Sequence, residues 1–119
     1  MKAGPKVEDL SAWFNNLGAD ALEDSLADDV VVEHVTTGRR ILGKEAVLGW
    51  LAELQQRSAE DRIDIVRSSV DGTTIWAERV DHHLIDGQWH DIPVMWIIEL
   101  NGDQQVVLMR DYFDPGLAL

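Results

Sequence analysis

The chain has 119 residues, 45% of them apolar and 27% charged; this is a globular balance with room for one domain, residues 1–119, and it excludes a two-domain enzyme, a large barrel or a disordered chain. Ten basic residues against 22 acidic leave a net charge of −12, a field that repels phosphate backbones and argues against a nucleic-acid partner. Zero cysteines exclude disulfides, iron–sulfur clusters, thiolate zinc and thiol catalysis, and the absence of a membrane-length apolar run or an apolar signal stretch in residues 1–10 sets the expectation of a soluble cytoplasmic protein.

Val7, Leu10, Phe14 and Leu17 form one stripe of an amphipathic helix that stops at Gly18. A second short helix is expected from Ala19 to Ala27, with Leu22 and Leu26 four apart, before Asp28-Asp29 breaks the pattern. The β-branched run Val30-Val31-Val32 predicts a strand, and Thr36-Thr37-Gly38 a turn. Gly43 precedes a third helix carrying Val47, Trp50, Leu51 and Leu54 at helical spacing. The second half predicts a strand meander. Ile63, Ile65 and Arg67 alternate with polar positions, and long strands follow over Thr74 to Ile85, Gln88 to Leu100 and Val106 to Phe113. Asp71-Gly72, Asp86-Gly87 and Asn101-Gly102 are hairpin signals between them. Pro93 inside a long strand predicts a bulge or a locally unpaired position. The order implies an α+β domain: a curved mixed sheet wrapped by three helices from the N-terminal half into a cone with one deep pocket, suited to a small apolar ligand.

Side chains alternate across a strand, so Arg79 and Asp81 share a face with Ile75 and Ala77. In the last strand Val107, Met109, Asp111 and Phe113 are expected on one face, which puts the Asp111 carboxylate in an apolar row. Two aspartates bridged by one arginine can hold one carboxyl protonated and the other ionised, the division of labour of acid/base catalysis. The alternatives are a surface ion pair at Arg79 and Asp81, and a water-facing Asp111 at a strand end; spacing alone does not bring the three together.

Glu78-Arg79-Val80-Asp81 followed by Arg110-Asp111-Tyr112-Phe113-Asp114 on consecutive long strands resembles the limonene-1,2-epoxide hydrolase family, within the nuclear-transport-factor-2-like, ketosteroid-isomerase-like and SnoaL-like cone fold. Weaker similarity runs through Ala27-Asp28-Asp29-Val30 and Gly43-Lys44-Glu45-Ala46-Val47, so most of the chain is covered. The resemblance implies one-step hydrolysis of a small or medium apolar epoxide to a vicinal diol, with water as the second substrate, no cofactor and no metal. It implies Asp111 as the base that takes a proton from water, Asp81 as the acid that protonates the epoxide oxygen, and Arg79 between them. An acid and a base on opposite walls of a dry pocket meet the need for simultaneous protonation and backside attack.

The chain departs from the family pattern at four positions. The family's tyrosine and asparagine water ligands fall on Val32, which cannot hydrogen-bond, and His34, which can; His34 is the water-positioning candidate. Losing one such bond costs about 1–3 kcal/mol of transition-state stabilisation. Trp96 stands where better-known members have a small residue, and is either a larger core residue or the floor of a shallower pocket. His83 replaces an aliphatic residue. With Trp50, Ile92, Val94, Met109 and Phe113, these residues are the expected pocket lining. His83, His90 and Asp91 flank one hairpin without a metal-site spacing and are set aside as ligands. Trp13 and Trp50 fit core packing, while Trp76, Val80 and Leu84 on the opposite face, near Trp89, need a cover. A second subunit often packs there in this fold family, so a homodimer is expected, with the segment from Gly116 to Leu119 as the alternative cover. Three other functions stay open: an intramolecular epoxide-opening cyclase, a ketosteroid-type proton shuttle, and a ligand-binding module. The shuttle needs a tyrosine donor, and the single tyrosine, Tyr112, alternates away from Asp111. A binding module has little reason to bury Asp81, Arg79 and Asp111 together.

Overall fold

The computed structural model describes residues 23–57 and 60–117. The helix expected over Val7 to Leu17 lies outside these residues, as do Trp13 and residues 19–22 of the second helix. Residues 23–25 are helical and run directly into β1 (Leu26–His34). The second helix therefore ends before Leu26 rather than at Ala27. Leu26 pairs with Val106 and is fully buried, so the two residues preceding Asp28 are worth more in the sheet than in another helical turn. Between Leu26 and Val31 the ladder shifts register, and this irregularity turns Asp28 and Asp29 out to solvent.

After β1 come β2 (Arg39–Leu42), α1 (Lys44–Arg57), β3 (Arg62–Asp71), β4 (Thr74–Ile85), β5 (Gln88–Leu100) and β6 (Val106–Phe113). They form one six-stranded sheet in the order β2-β1-β6-β5-β4-β3. The pair β1–β6 is parallel and every other pair antiparallel, which makes the sheet mixed. Gly43 sets α1 on the sheet. Its φ of 89° is a left-handed conformation that a side chain would strain, its N–H donates to Val30 O at 2.8 Å, and its carbonyl accepts from Val47 N at 3.0 Å. Val47 and Leu51 are buried, with Trp50 and Leu54 packed beside them, so the predicted stripe is the one that meets β1 and β2.

Asp86-Gly87 is the β4–β5 turn, with positive φ at both residues, 51° and 78°. The β3–β4 turn falls one residue later than the Asp71-Gly72 signal: Asp71 ends β3, paired with Thr74, and Gly72-Thr73 make the turn, with Gly72 at a φ of 60°. Asn101-Gly102 is not a two-residue turn. The connection spans residues 101–105, and Asn101 Oδ1 accepts from Asp103 N and Gln105 N at 2.9 and 3.0 Å. Pro93 pairs with Val80 of β4 alone, one residue outside the β6 ladder.

Two bulges correct the expected alternation. One at Val66 places Arg67 opposite Glu78, on the outer face, instead of in line with Ile63 and Ile65. The other lies in the β5–β6 ladder between Glu99 and Leu100; it makes Val106, fully buried, the inward residue in place of Val107. The core fills the face against which α1 packs, here called the inner face, and Trp96 is the largest fully buried side chain in it among the described residues.

Candidate active site

The parallel pairing of β1 with β6 does for the site what no local signal shows. It sets His34 beside Asp111, while β5 lies on the other side of β6 and sets Trp96 beside Asp111. One strand further, Trp96 is opposite Ala77, and Arg79 follows two residues on along the same inner row. The row therefore runs from His34 through Asp111 and Trp96 to Arg79 and Asp81 across four strands.

Arg79 holds the row together. Its Nε donates to Asp81 Oδ1 at 2.8 Å and its Nη2 to Asp81 Oδ2 at 3.1 Å. On the other side Nη1 donates to Asp111 Oδ1 at 3.2 Å and Nη2 to Asp111 Oδ2 at 3.3 Å. The guanidinium lies over the Trp96 ring with Cζ 4.6 Å from the centroid. Arg79 is 5% exposed and Asp111 6%. Burial works against the Arg79 charge, but the charges of Asp111 and Asp81 outweigh it, so the guanidinium is held protonated more firmly than in water. The planar fork matches both carboxylates in a way an ammonium does not. Arg79 grips Asp81 at shorter range than Asp111, which leaves Asp111 the less engaged of the two carboxyl groups.

His34 faces that less engaged carboxyl, with Nε2 3.6 Å from Asp111 Oδ2. This is too long for a hydrogen bond, yet an oxygen atom placed about 2.8 Å from each would satisfy both. Two rings fix the imidazole: Trp50 at 5.3 Å and Phe113 edge-on at 5.6 Å between centroids. Burial lowers the His34 pKa. Asp111 opposes this, while Arg39 and Arg79 push it the same way as burial. The ring is therefore neutral at pH 7 and able to accept a hydrogen as well as donate one.

The remaining expected residues lie on the same face. Val32 pairs with Met109, Val94 with Arg79 and Phe113, and Ile92 with Asp81. Val32, Ile92, Val94, Trp96 and Met109 are buried, whereas Trp50 and Phe113 are half-buried. His83 follows Asp81 on this face and binds Asp61. Tyr112 is on the outer face opposite Met95, with Arg110 over its ring at 5.5 Å, so it is not a donor to this site.

The set-aside metal trio does not converge. Asp91 turns to the outer face and binds His82 Nδ1 at 2.7 Å, whereas His83 and His90 lie on the inner face. Among the described residues no group of three possible ligands converges. Two site residues escaped sequence reasoning. Asp61 stands just before β3, and counting pairs back from the Asp71–Thr74 pair would put it level with Leu84; the Val66 bulge shifts the register by one and brings it beside His83. Arg39, at the start of a four-residue strand, carries no sequence signal for its effect on His34.

The family model of the limonene-1,2-epoxide hydrolase catalytic domain matches residues 4–116. No curated protein matches the chain. Among solved structures, an LEH-like epoxide hydrolase from M. tuberculosis is 30% identical, covering 91% of this chain and 79% of its own, with a TM-score of 0.77. A protein of ketosteroid isomerase-like fold from Catenulispora acidiphila, solved with trimethylamine, is 19% identical over 98% of this chain and 92% of its own, with a TM-score of 0.80. An epoxide hydrolase/cyclase-like enzyme of pyran ring formation in the polyether salinomycin is 16% identical over 92% of this chain and 90% of its own, with a TM-score of 0.77. The last two likenesses concern the fold alone.

Proposed function

The chain belongs to the limonene-1,2-epoxide hydrolase family, and on that premise we propose that it is a cofactor-independent hydrolase that adds water to a small or medium epoxide to give a vicinal diol. One observation carries this reading: a buried arginine clamped between two aspartates on the inner face of the sheet. Asp111 takes a proton from water as the water oxygen attacks an epoxide carbon. The C–O bond breaks as Asp81 gives its proton to the leaving oxygen. Arg79 stays protonated and hydrogen-bonded to both carboxyl groups, so the pair exchanges charge around a fixed cation. His34, neutral and ring-held, positions the water at Asp111 Oδ2. Val32 is apolar and buried, so the described water site has fewer polar groups than the family pattern implies.

That thinner clamp favours one second reading, an intramolecular cyclase in which a substrate hydroxyl replaces water as nucleophile. Turnover of cyclic and terpene epoxides in oxygen-18 water separates the two, with Asp111→Asn as control. The hydrolase gives a labelled diol, and the control loses about 10²–10⁴-fold in rate. An unlabelled cyclic ether supports the cyclase; a diol formed at full rate by the Asp111→Asn protein removes the base role.

The outer face carries Trp76, Trp89 and Met95 exposed, beside half-buried Val80 and Ile97. We propose that a second copy of the chain covers it, because an apolar sheet face of this kind is a liability on a monomer.

A further inference from the structure

A second histidine–carboxylate pair lies on the inner face, outside the proposed reaction. His83 Nδ1 and Asp61 Oδ2 are 2.7 Å apart, and Asp61 Oδ1 accepts from Leu84 N at 2.9 Å. Asp61 is thus tied to the end of β4 through both oxygens and cannot turn away. A carboxylate at Nδ1 selects the tautomer with hydrogen on that nitrogen, which leaves Nε2 with its lone pair. Among the described residues Nε2 has no hydrogen-bond partner. His83 follows Asp81 by two residues on the same side of β4, a separation of about 6.5–7 Å along the strand. A substituent of a substrate whose epoxide oxygen sits at Asp81 is within reach of this fixed acceptor on a half-buried side chain.

We infer that His83, oriented by Asp61, is a specificity-determining residue, and that the substrate is a hydroxylated epoxide whose hydroxyl, on the acid side of the ring, donates to His83 Nε2. This rests on the hydrolase reading above and narrows its substrate class. The hydroxyl is not the nucleophile, since it lies on the Asp81 side and attack comes from the Asp111 side. The site rejects a methyl ether at the same position because two acceptors then face each other, leaving both without a donor.

The test compares kcat/KM for an epoxide bearing a hydroxymethyl group with that for its methyl ether. The wild-type protein should prefer the alcohol about tenfold, the size of one hydrogen bond to a neutral acceptor. His83→Leu should bring the ratio close to one. Asp61→Asn keeps the imidazole and the Leu84 bond but presents an amide N–H to Nδ1; this reverses the tautomer, makes Nε2 a donor, and should also collapse the preference. If His83→Leu fails to fold, Asp61→Asn carries the test. Equal turnover of alcohol and ether by the wild-type protein, or a preference that survives both substitutions, overturns the role of His83 and leaves the hydrolase reading standing. Failure to open either epoxide overturns the hydrolase reading, and this inference with it.

Discussion

The two faces of β4 carry charges of the same kinds and use them differently. On the outer face Arg67 Nε lies 3.0 Å from Glu78 Oε1, and His82 joins Asp64 and Asp91 at 2.8 and 2.7 Å. On the inner face Arg79 joins Asp81 and Asp111. The bond lengths are similar. Burial is not: Arg67 is 79% exposed and Arg79 5%. Water screens the outer pairs and replaces any partner that is lost, so they contribute little. The inner cluster must balance its own charge, because no solvent does it, and this is the property a proton-transferring site requires.

The largest effect expected from that difference comes from removing each arginine in turn. Arg79→Met should destabilise the protein by about 3–5 kcal/mol, since it leaves two carboxyl groups buried without their cation. Arg67→Met, which breaks a pair of equal length, should cost less than about 1 kcal/mol. Denaturant unfolding of both variants decides it. Comparable losses would mean that burial of the inner cluster is not what distinguishes the faces.

How much of this was legible in the sequence follows from the range of each signal. The β4–β5 turn and the bounds of the last three strands came from local chemistry, an Asp-Gly turn and alternating apolar runs, whereas the β3–β4 turn sits one residue beyond its Asp71-Gly72 signal. The Arg79–Asp81 pairing followed from alternation alone. The neighbourhood of Asp111 did not, because it depends on a parallel pairing between strands at opposite ends of the chain, β1 and β6; the family resemblance supplied it. Bulges were invisible for a different reason. The Val66 bulge and the one beside Leu100 insert single residues that local propensity does not mark, and each reverses the alternation beyond it. That is why Arg67 and Val107 were assigned to the wrong face, and why Asp61 was not connected to His83.

The next effect concerns what covers the outer face. If a second copy packs there, Trp76→Lys places a charge in the contact and should weaken the dimer by about 1–3 kcal/mol. Sedimentation across a protein dilution series would show the variant dissociating at concentrations where the wild-type protein stays paired. An unchanged weight for both proteins, or a wild-type monomer, removes the proposal. The comparison would then sharpen, with Trp76, Trp89 and Met95 left to solvent on a sheet whose other side is tightly packed.

The smallest effect is also the most specific, because the faces should shift two histidines in opposite directions. On the inner face burial, with help from Arg39 and Arg79 against Asp111, lowers the His34 pKa from 6.5. On the outer face the hydrogen bond to Asp91, opposed by slight desolvation and aided by Asp64, raises that of His82 from 6.5. For His34 the unfolded chain binds the proton more readily, so its contribution to stability is full above about 6.5 and falls as pH drops through the unfolded and then the folded value. For His82 the folded protein binds the proton more readily, so its contribution is full below about 6.5 and is lost as pH rises through the raised folded value. Unfolding free energies measured from about pH 5 to 8.5 for the wild-type protein, His34→Gln and His82→Gln isolate the two contributions. The wild-type advantage over His34→Gln should grow with pH, and the advantage over His82→Gln should shrink. Slopes of the same sign would mean that neighbouring carboxylates alone set both protonation states, and that burial of the inner face does not keep His34 neutral beside Asp111.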